Sequence, residues 1–205
     1  MITLTNRYTE AVEYARTAHG GQVRKGTAIP YFAHLIGVSS LVLDCGGDED
    51  QAIAGLLHDV VEDCGDAYAA VVRSRFGDRV ADIVQACTDG SQEQKRQADA
   101  EGSKRADWEQ RKRRYLAHLE TCDAEALLVS GCDKLHNLRA ILSDLRNPAV
   151  GTAVFDRFIG GRDGTLWYYG ELATVFARRG HPASRELTRA VDALRYALQP
   201  DTAPS

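Results

Sequence analysis

An excess of charge of one sign is missing from this chain: 25 Lys and Arg stand against 29 Asp and Glu, a formal net charge of −4. Such a balance gives no overall attraction to nucleic acid or to an acidic membrane surface, so a polyanionic ligand must be met by a local basic patch. No apolar run approaches the ~20 residues of a membrane span, and Met1 to Arg7 lacks the charged start and apolar stretch of a secretory signal. The expectation is a soluble cytoplasmic protein. The five cysteines, Cys45, Cys64, Cys87, Cys122 and Cys132, are odd in number, scattered and without CxxC spacing, which argues against a disulfide framework or a zinc knuckle. Strand-like alternation and internal repeats are missing too. What is present, 44% hydrophobic and 26% charged residues over 205 positions, suits one all-α globular domain with a sizeable core.

Helical periodicity predicts a bundle of roughly 8 to 10 helices. Thr9 to Ala18 is amphipathic and leads into a glycine-rich basic turn, Gly20 to Thr27; Pro30 then opens a helix over Tyr31 to Leu43. Asp48-Glu49-Asp50 marks the start of a helix that runs to a left-handed cap at Gly65. Ala67 to Phe76 and Asp78 to Cys87 follow, with Asp78 as N-cap. Residues 89 to 114 are polar, a loop or a solvated helix start, and end in Arg111-Lys112-Arg113-Arg114, the strongest basic cluster, available to a phosphate-bearing ligand. Further helices are expected over Tyr115 to Leu119, Ala124 to Leu145, Trp167 to Arg179 and Ala183 to Leu198. The Gly160 to Gly164 stretch reads as a turn, Trp167 as an aromatic packing the last helices onto the bundle, and residues 200–205 as a frayed tail.

The chemistry concentrates in Leu56-Leu57-His58-Asp59-Val60-Val61-Glu62-Asp63. At about 100° per residue, one imidazole and three carboxylates project from one side of a helix that is otherwise apolar. Neighbouring carboxylates cost several kcal/mol, as an order of magnitude, to desolvate unless a cation compensates them. His34, His58, Asp59 and Asp133 lie on three predicted helices, each inside or beside an apolar run. Two imidazoles and two carboxylates without a cysteine suit Mn²⁺ or Fe²⁺, with Mg²⁺, Co²⁺ and Zn²⁺ less favoured.

In order along the chain, Ala18-His19-Gly20-Gly21-Gln22-Val23-Arg24-Lys25, Pro30-Tyr31 with His34, Leu56 to Asp63, Phe76-Gly77 and Asp133-Lys134-Leu135-His136-Asn137-Leu138-Arg139 resemble the HD-domain metal phosphohydrolases. Within these, the likeness is to the hydrolase domain of RelA/SpoT proteins and the small alarmone hydrolases, over about residues 8–145. The resemblance implies an HD-type domain over residues 1–199, with C-terminal helices over about 163–198. It implies His34, His58, Asp59 and Asp133 as metal ligands, usually for Mn²⁺, and Glu62 and Asp63 as the acidic pair that handles the attacking water. Arg24, Lys25, Asn137 and Arg139 correspond to substrate contacts. The reaction implied is the 3′-pyrophosphohydrolysis of (p)ppGpp to GDP or GTP, a small-molecule partner with no nucleic acid or membrane; a homo-oligomer stays open. Four departures mark this chain: a loop from Arg24 to Tyr31 one residue longer than usual, His34-Leu35 for His-Pro, Cys64 for the Thr or Ser that usually follows the acidic motif, and Cys132-Asp133-Lys134 for Ala-Asp-Arg. Alternatives are another phosphorylated nucleotide or cofactor, such as a nucleoside mono- or triphosphate or the NADPH 2′-phosphate, and a non-catalytic nucleotide- or protein-binding module.

Overall fold

The computed structural model describes residues 2–88 and 104–199. Among them are ten α-helices and one 3₁₀ helix, with no strand beyond an isolated bridge between Val23 and Pro30. The helices are α1 (Asn6–Ala18), α2 (Phe32–Asp44), α3 (Glu49–Leu57), α4 (Val60–Cys64), α5 (Ala67–Phe76), α6 (Asp78–Cys87), α7 (Lys104–Leu119), α8 (Ala124–Arg146), α9 (Gly161–Arg178) and α10 (Ser184–Ala197); the 3₁₀ helix, Gly151–Arg157, joins α8 to α9. The frayed tail expected at 200–205, and the 89–103 part of the polar stretch, lie outside the described residues.

Local chemistry sets the ends. Thr5 accepts the amide of Arg7 and starts α1 three residues earlier than periodicity alone suggests. Asp48 and Gln51 form a reciprocal capping box at α3, whose residues Ala52 to Leu57 are all buried. Asp78 is the first helical residue of α6 rather than its cap; Gly77, at φ 92°, holds that position. Gly65 ends α4 at φ 118° and ψ 160°, an extended glycine conformation and not the left-handed helical one expected. Gly161 already belongs to α9, so the turn expected to reach Gly164 stops at Gly160.

The longest helix, α8, is the axis. It packs against α2, α3, α6 and α10, and the core runs from Leu35, Ile53 and Leu57 through Leu135 and Leu138 to Leu194. These apolar faces supply most of the stabilisation, at about 25 cal/mol per Å² of apolar surface buried. The helices α2 and α8 and the C-terminal end of α3, which pack together, bring in His34, Asp133 and the His58-Asp59 pair.

One departure matters for function. His58 and Asp59 interrupt what the sequence suggests is a single helix, separating α3 from α4. The Nδ1 of His58 lies 2.9 Å from the Gly55 carbonyl oxygen, the acceptor an unbroken helix offers to the Asp59 amide. Asp59 takes φ −98° and ψ −2°, and the chain turns there. Glu62 and Asp63 then occupy the first turn of α4, where the exposed amides favour carboxylates.

A second buried histidine fastens the C-terminal helices. His181 Nδ1 accepts the Ala183 amide at 3.0 Å, and its Nε2 donates to the Leu128 carbonyl at 3.0 Å. A Cβ on Gly131 would fall 2.2 Å from that Nε2, so the ring seats directly on the α8 backbone. Accepting at Nδ1 requires the neutral ring, and burial holds its pKa below the usual value, with the Leu128 carbonyl opposing. Because the folded pKa is depressed, the stabilisation is complete above the unfolded value of about 6.5 and is lost as pH falls below it. Melting temperature measured from pH 7.5 to pH 5.5 is therefore expected to fall more steeply for the parent chain than for His181→Gln.

Candidate metal centre

Four donor atoms converge where α2, the α3–α4 turn and α8 meet. His34 Nε2 lies 3.2 Å from Asp133 Oδ1 and 3.8 Å from Asp59 Oδ2; His58 Nε2 lies 3.0 Å from Asp59 Oδ2 and 3.6 Å from Asp133 Oδ1. Donor atoms of His34, His58 and Asp59 all fall within 4.8 Å of one another. Both imidazoles are buried, and neither Nε2 has a hydrogen-bond partner among the described residues. Buried polar atoms left in this way are costly unless something sits among them. Two imidazole nitrogens aimed at two carboxylates, with no thiolate present, make a donor set that fits a divalent cation.

The other ring nitrogens are held. His58 Nδ1 donates to Gly55, which leaves Nε2 as the bare one. His34 Nδ1 lies 2.9 Å from His136 Nδ1, which is also 3.2 Å from Arg24 Nη1. Arginine can only donate, so His136 Nδ1 accepts, His34 Nδ1 carries the proton, and His34 Nε2 is bare as well. The carboxylates are supported in the same manner: Tyr31 donates its phenol to Asp59, while Asn137 Nδ2 and Lys134 Nζ reach Asp133 at 2.6 and 2.5 Å. Lys134 sits 5.0 Å above the Tyr115 ring, which shields that charge from water.

The electrostatics follow from burial and these contacts. Burial disfavours a charged His58, yet Asp59 and Asp133 outweigh it and raise its pKa well above the ordinary value. Burial opposes ionisation of both acids too, but His58 draws the Asp59 carboxyl down and Lys134 and the two imidazoles draw Asp133 down. His34 is pushed down by burial. His136 is pushed down to about 4 by burial, with His34 and Arg24 adding, so it stays a neutral acceptor at neutral pH.

Beside the cluster opens a cavity of about 410 Å³, bordered by Tyr31, Lys134 and Asn137. Five cationic side chains, Arg24, Lys25, Lys112, Lys134 and Arg157, line it against one carboxylate, Asp144, which is already paired with Arg157 at 2.5 Å. Trp108 and Tyr168 form an aromatic wall. The Trp108 ring rests on glycine backbone, where a Cβ at Gly160 or Gly164 would come within 2.6 or 3.0 Å of it. Anionic groups and a flat ring system are what such a lining receives.

Of the residues singled out in the sequence, His34, His58, Asp59 and Asp133 come together, and Arg24, Lys25 and Asn137 line the cavity beside them. Glu62 and Asp63 are half-buried on α4, three and four residues beyond Asp59, and the Asp63 carboxylate helps to push the Tyr31 phenol pKa up, after burial and Asp59. Arg139 is a correction. Two residues beyond Asn137 it has turned some 200° round α8, and it is exposed and ion-paired with Glu186 of α10, away from the cavity. The basic cluster on α7 also divides: Arg111 is buried against Asp107, Arg113 lies over Trp167, and Lys112 reaches the cavity. Trp167 packs edge-on against Trp108 as expected. Tyr31, Lys134 and His136 are functional contacts that the sequence reading left unassigned, although each stands within a few residues of a proposed ligand.

The HD-domain family model matches residues 11–166. The chain is 35% identical over 136 residues to the Drosophila melanogaster guanosine-3′,5′-bis(diphosphate) 3′-pyrophosphohydrolase MESH1, covering 65% of this chain and 68% of that protein. Its fold resembles that of lmo0812 from Listeria monocytogenes EGD-e, with a TM-score of 0.64 and 29% identity over 78% of this chain and 96% of that one. It also resembles a metazoan ortholog of SpoT described as hydrolysing ppGpp, with a TM-score of 0.56 and 28% identity over 88% and 99% of the two chains. The plant relatives it matches are longer, and the chain spans 17% of their length.

Proposed function

The chain belongs to the HD-domain family, and on that premise we propose that it is a metal-dependent phosphohydrolase that removes pyrophosphate from the 3′ position of (p)ppGpp. The observation that carries the reading is the junction of a four-donor His/Asp cluster with a cavity in which five cations face one paired carboxylate. A guanosine tetraphosphate combines both features that such a cavity accepts, multiple anionic groups and an aromatic base. The activities for which MESH1 and the SpoT ortholog are named support the same substrate class.

In this reading His34, His58, Asp59 and Asp133 hold the cation, Mn²⁺ by family habit. When bound, a divalent cation supplies Lewis acidity, making water easier to deprotonate and offsetting charge that builds on the phosphate. The chain does the rest. Glu62 and Asp63 handle the attacking water, one of them accepting its proton, and the short α4 that carries them follows directly on Asp59, its N-cap, so base and ligand share one turn. Lys25, Lys112, Lys134 and Arg157 neutralise the phosphates, and Asn137 contacts the ribose-phosphate region while bracing Asp133. Tyr31 fixes the Asp59 carboxylate by its phenol hydrogen bond.

The direct test is release of pyrophosphate from ppGpp by purified protein with Mn²⁺, against a chelated sample and Asp59→Ala. Metal-dependent release that both controls abolish is expected. One Mn²⁺ bound per chain without any release would move the substrate to another phosphorylated nucleotide, to be sought in a panel that assays phosphate and pyrophosphate separately.

A further inference from the structure

Arg24 stands among the residues expected to touch substrate, yet its guanidinium is already engaged on two sides. Nη1 donates to His136 Nδ1 at 3.2 Å, and Nη2 donates to Asn137 Oδ1 at 3.0 Å. Each acceptor in turn grips a different member of the metal cluster. His136 Nδ1 receives the Nδ1 proton of His34 at 2.9 Å, and Asn137 Nδ2 donates to Asp133 Oδ1 at 2.6 Å. One planar fork thus reaches a histidine of α2 and a carboxylate of α8 through two adjacent residues of α8.

The base of the fork is rigid. The Arg24 amide bonds the Ile29 carbonyl at 2.8 Å, its carbonyl accepts from the Thr27 amide and hydroxyl, and the flanking Val23 bridges to Pro30. Gly26, at φ +72°, closes this turn against the Arg157 stem, where a Cβ would come within 2.6 Å. On the far side the His136 ring lies against Gly37 of α2, with a would-be Cβ 2.2 Å from its Nε2. Neither the turn nor the ring has room to drift.

We infer that Arg24 and His136 are positioning residues of the metal centre, the fork fixing the tautomer and aim of His34 through His136 and the orientation of Asp133 through Asn137. The inference rests on reading the His/Asp cluster as a cation site, and not on which nucleotide is cleaved. Lysine cannot replace Arg24 here, because a point charge has no second planar donor. Loss of such outer contacts typically weakens metal affinity by about 10- to 100-fold.

Mn²⁺ titration of the substrate-free protein by calorimetry tests this without any turnover. Arg24→Lys and His136→Leu are each expected to raise the Mn²⁺ Kd by about 10- to 100-fold. His136→Asn, whose amide oxygen can stand where Nδ1 accepts, is expected to recover most of the loss. The double variant Arg24→Lys/His136→Leu is expected to bind little worse than the poorer single one, because both changes break the same chain of contacts. A thermal melt of each variant confirms folding, and Arg24→Lys, in a half-buried surface turn, keeps the test available if His136→Leu does not fold. Arg24→Lys binding Mn²⁺ within twofold of the parent would overturn the inference and return Arg24 to direct substrate contact. His136→Asn binding as poorly as His136→Leu would also overturn it. A parent chain that binds no Mn²⁺ would overturn the cation reading itself, an outcome distinct from the other two.

Discussion

Asp59→Ala and His58→Ala are each expected to abolish Mn²⁺ binding and nucleotide hydrolysis together. Both residues contribute to the same buried cluster, and removing either leaves the remaining groups mismatched in charge. A Lewis acid contributes several kcal/mol of transition-state stabilisation, and each 1.36 kcal/mol is tenfold in rate, so kcat is expected to fall by about a thousandfold or more. Metal content by elemental analysis and pyrophosphate release, measured on the same preparation, check the two losses at once. A variant that kept its metal and lost only turnover would remove that residue from the ligand set.

Glu62→Ala separates the second role from the first. Glu62 lies outside the cluster of converging donors, on the first turn of α4. Its removal is expected to leave Mn²⁺ stoichiometry and affinity within about twofold while lowering kcat by about 10²- to 10⁴-fold, the usual contribution of a positioned base. A fully active Glu62→Ala would pass the proton-accepting role to Asp63 alone, and the double variant Glu62→Ala/Asp63→Asn would then carry the whole loss. Comparing kcat with KM distinguishes this from weakened substrate binding, which raises KM and leaves kcat in place.

Much of this arrangement is legible in the residues because helices are local. The apolar spacing that marks α2, α3 and α8 also fixes which faces turn inward, and the four converging donors all sit on or beside such faces. Spacing carried too far, however, at His58 and Asp59. A histidine that bonds its own helix's carbonyl three residues back is invisible to periodicity, and this bond stands where α3 ends and Asp59 turns towards His34 and His58. Arg139 shows the opposite failure: motif membership suggests substrate contact, while helical geometry turns it to Glu186. The contacts of Tyr31, Lys134 and His136 were hidden for a third reason. Each depends on a partner from another helix or turn, Asp59, Tyr115 or Arg24, and on tertiary packing that no single stretch encodes.

The seat of Trp108 on Gly160 and Gly164 has a consequence for how such a protein diversifies. The converging donors belong to α2, the α3–α4 turn and α8 in the core, whereas this wall is made by α7 and α9, which meet side by side at the rim. A methyl group at position 160 or 164 would tilt the indole and reshape the space beside the donors without moving any of them. The aromatic wall and the converging donors are therefore carried by different helices, although α8 contributes both Asp133 and part of the cavity lining. Change at the rim can reshape the cavity while the donor cluster stays intact.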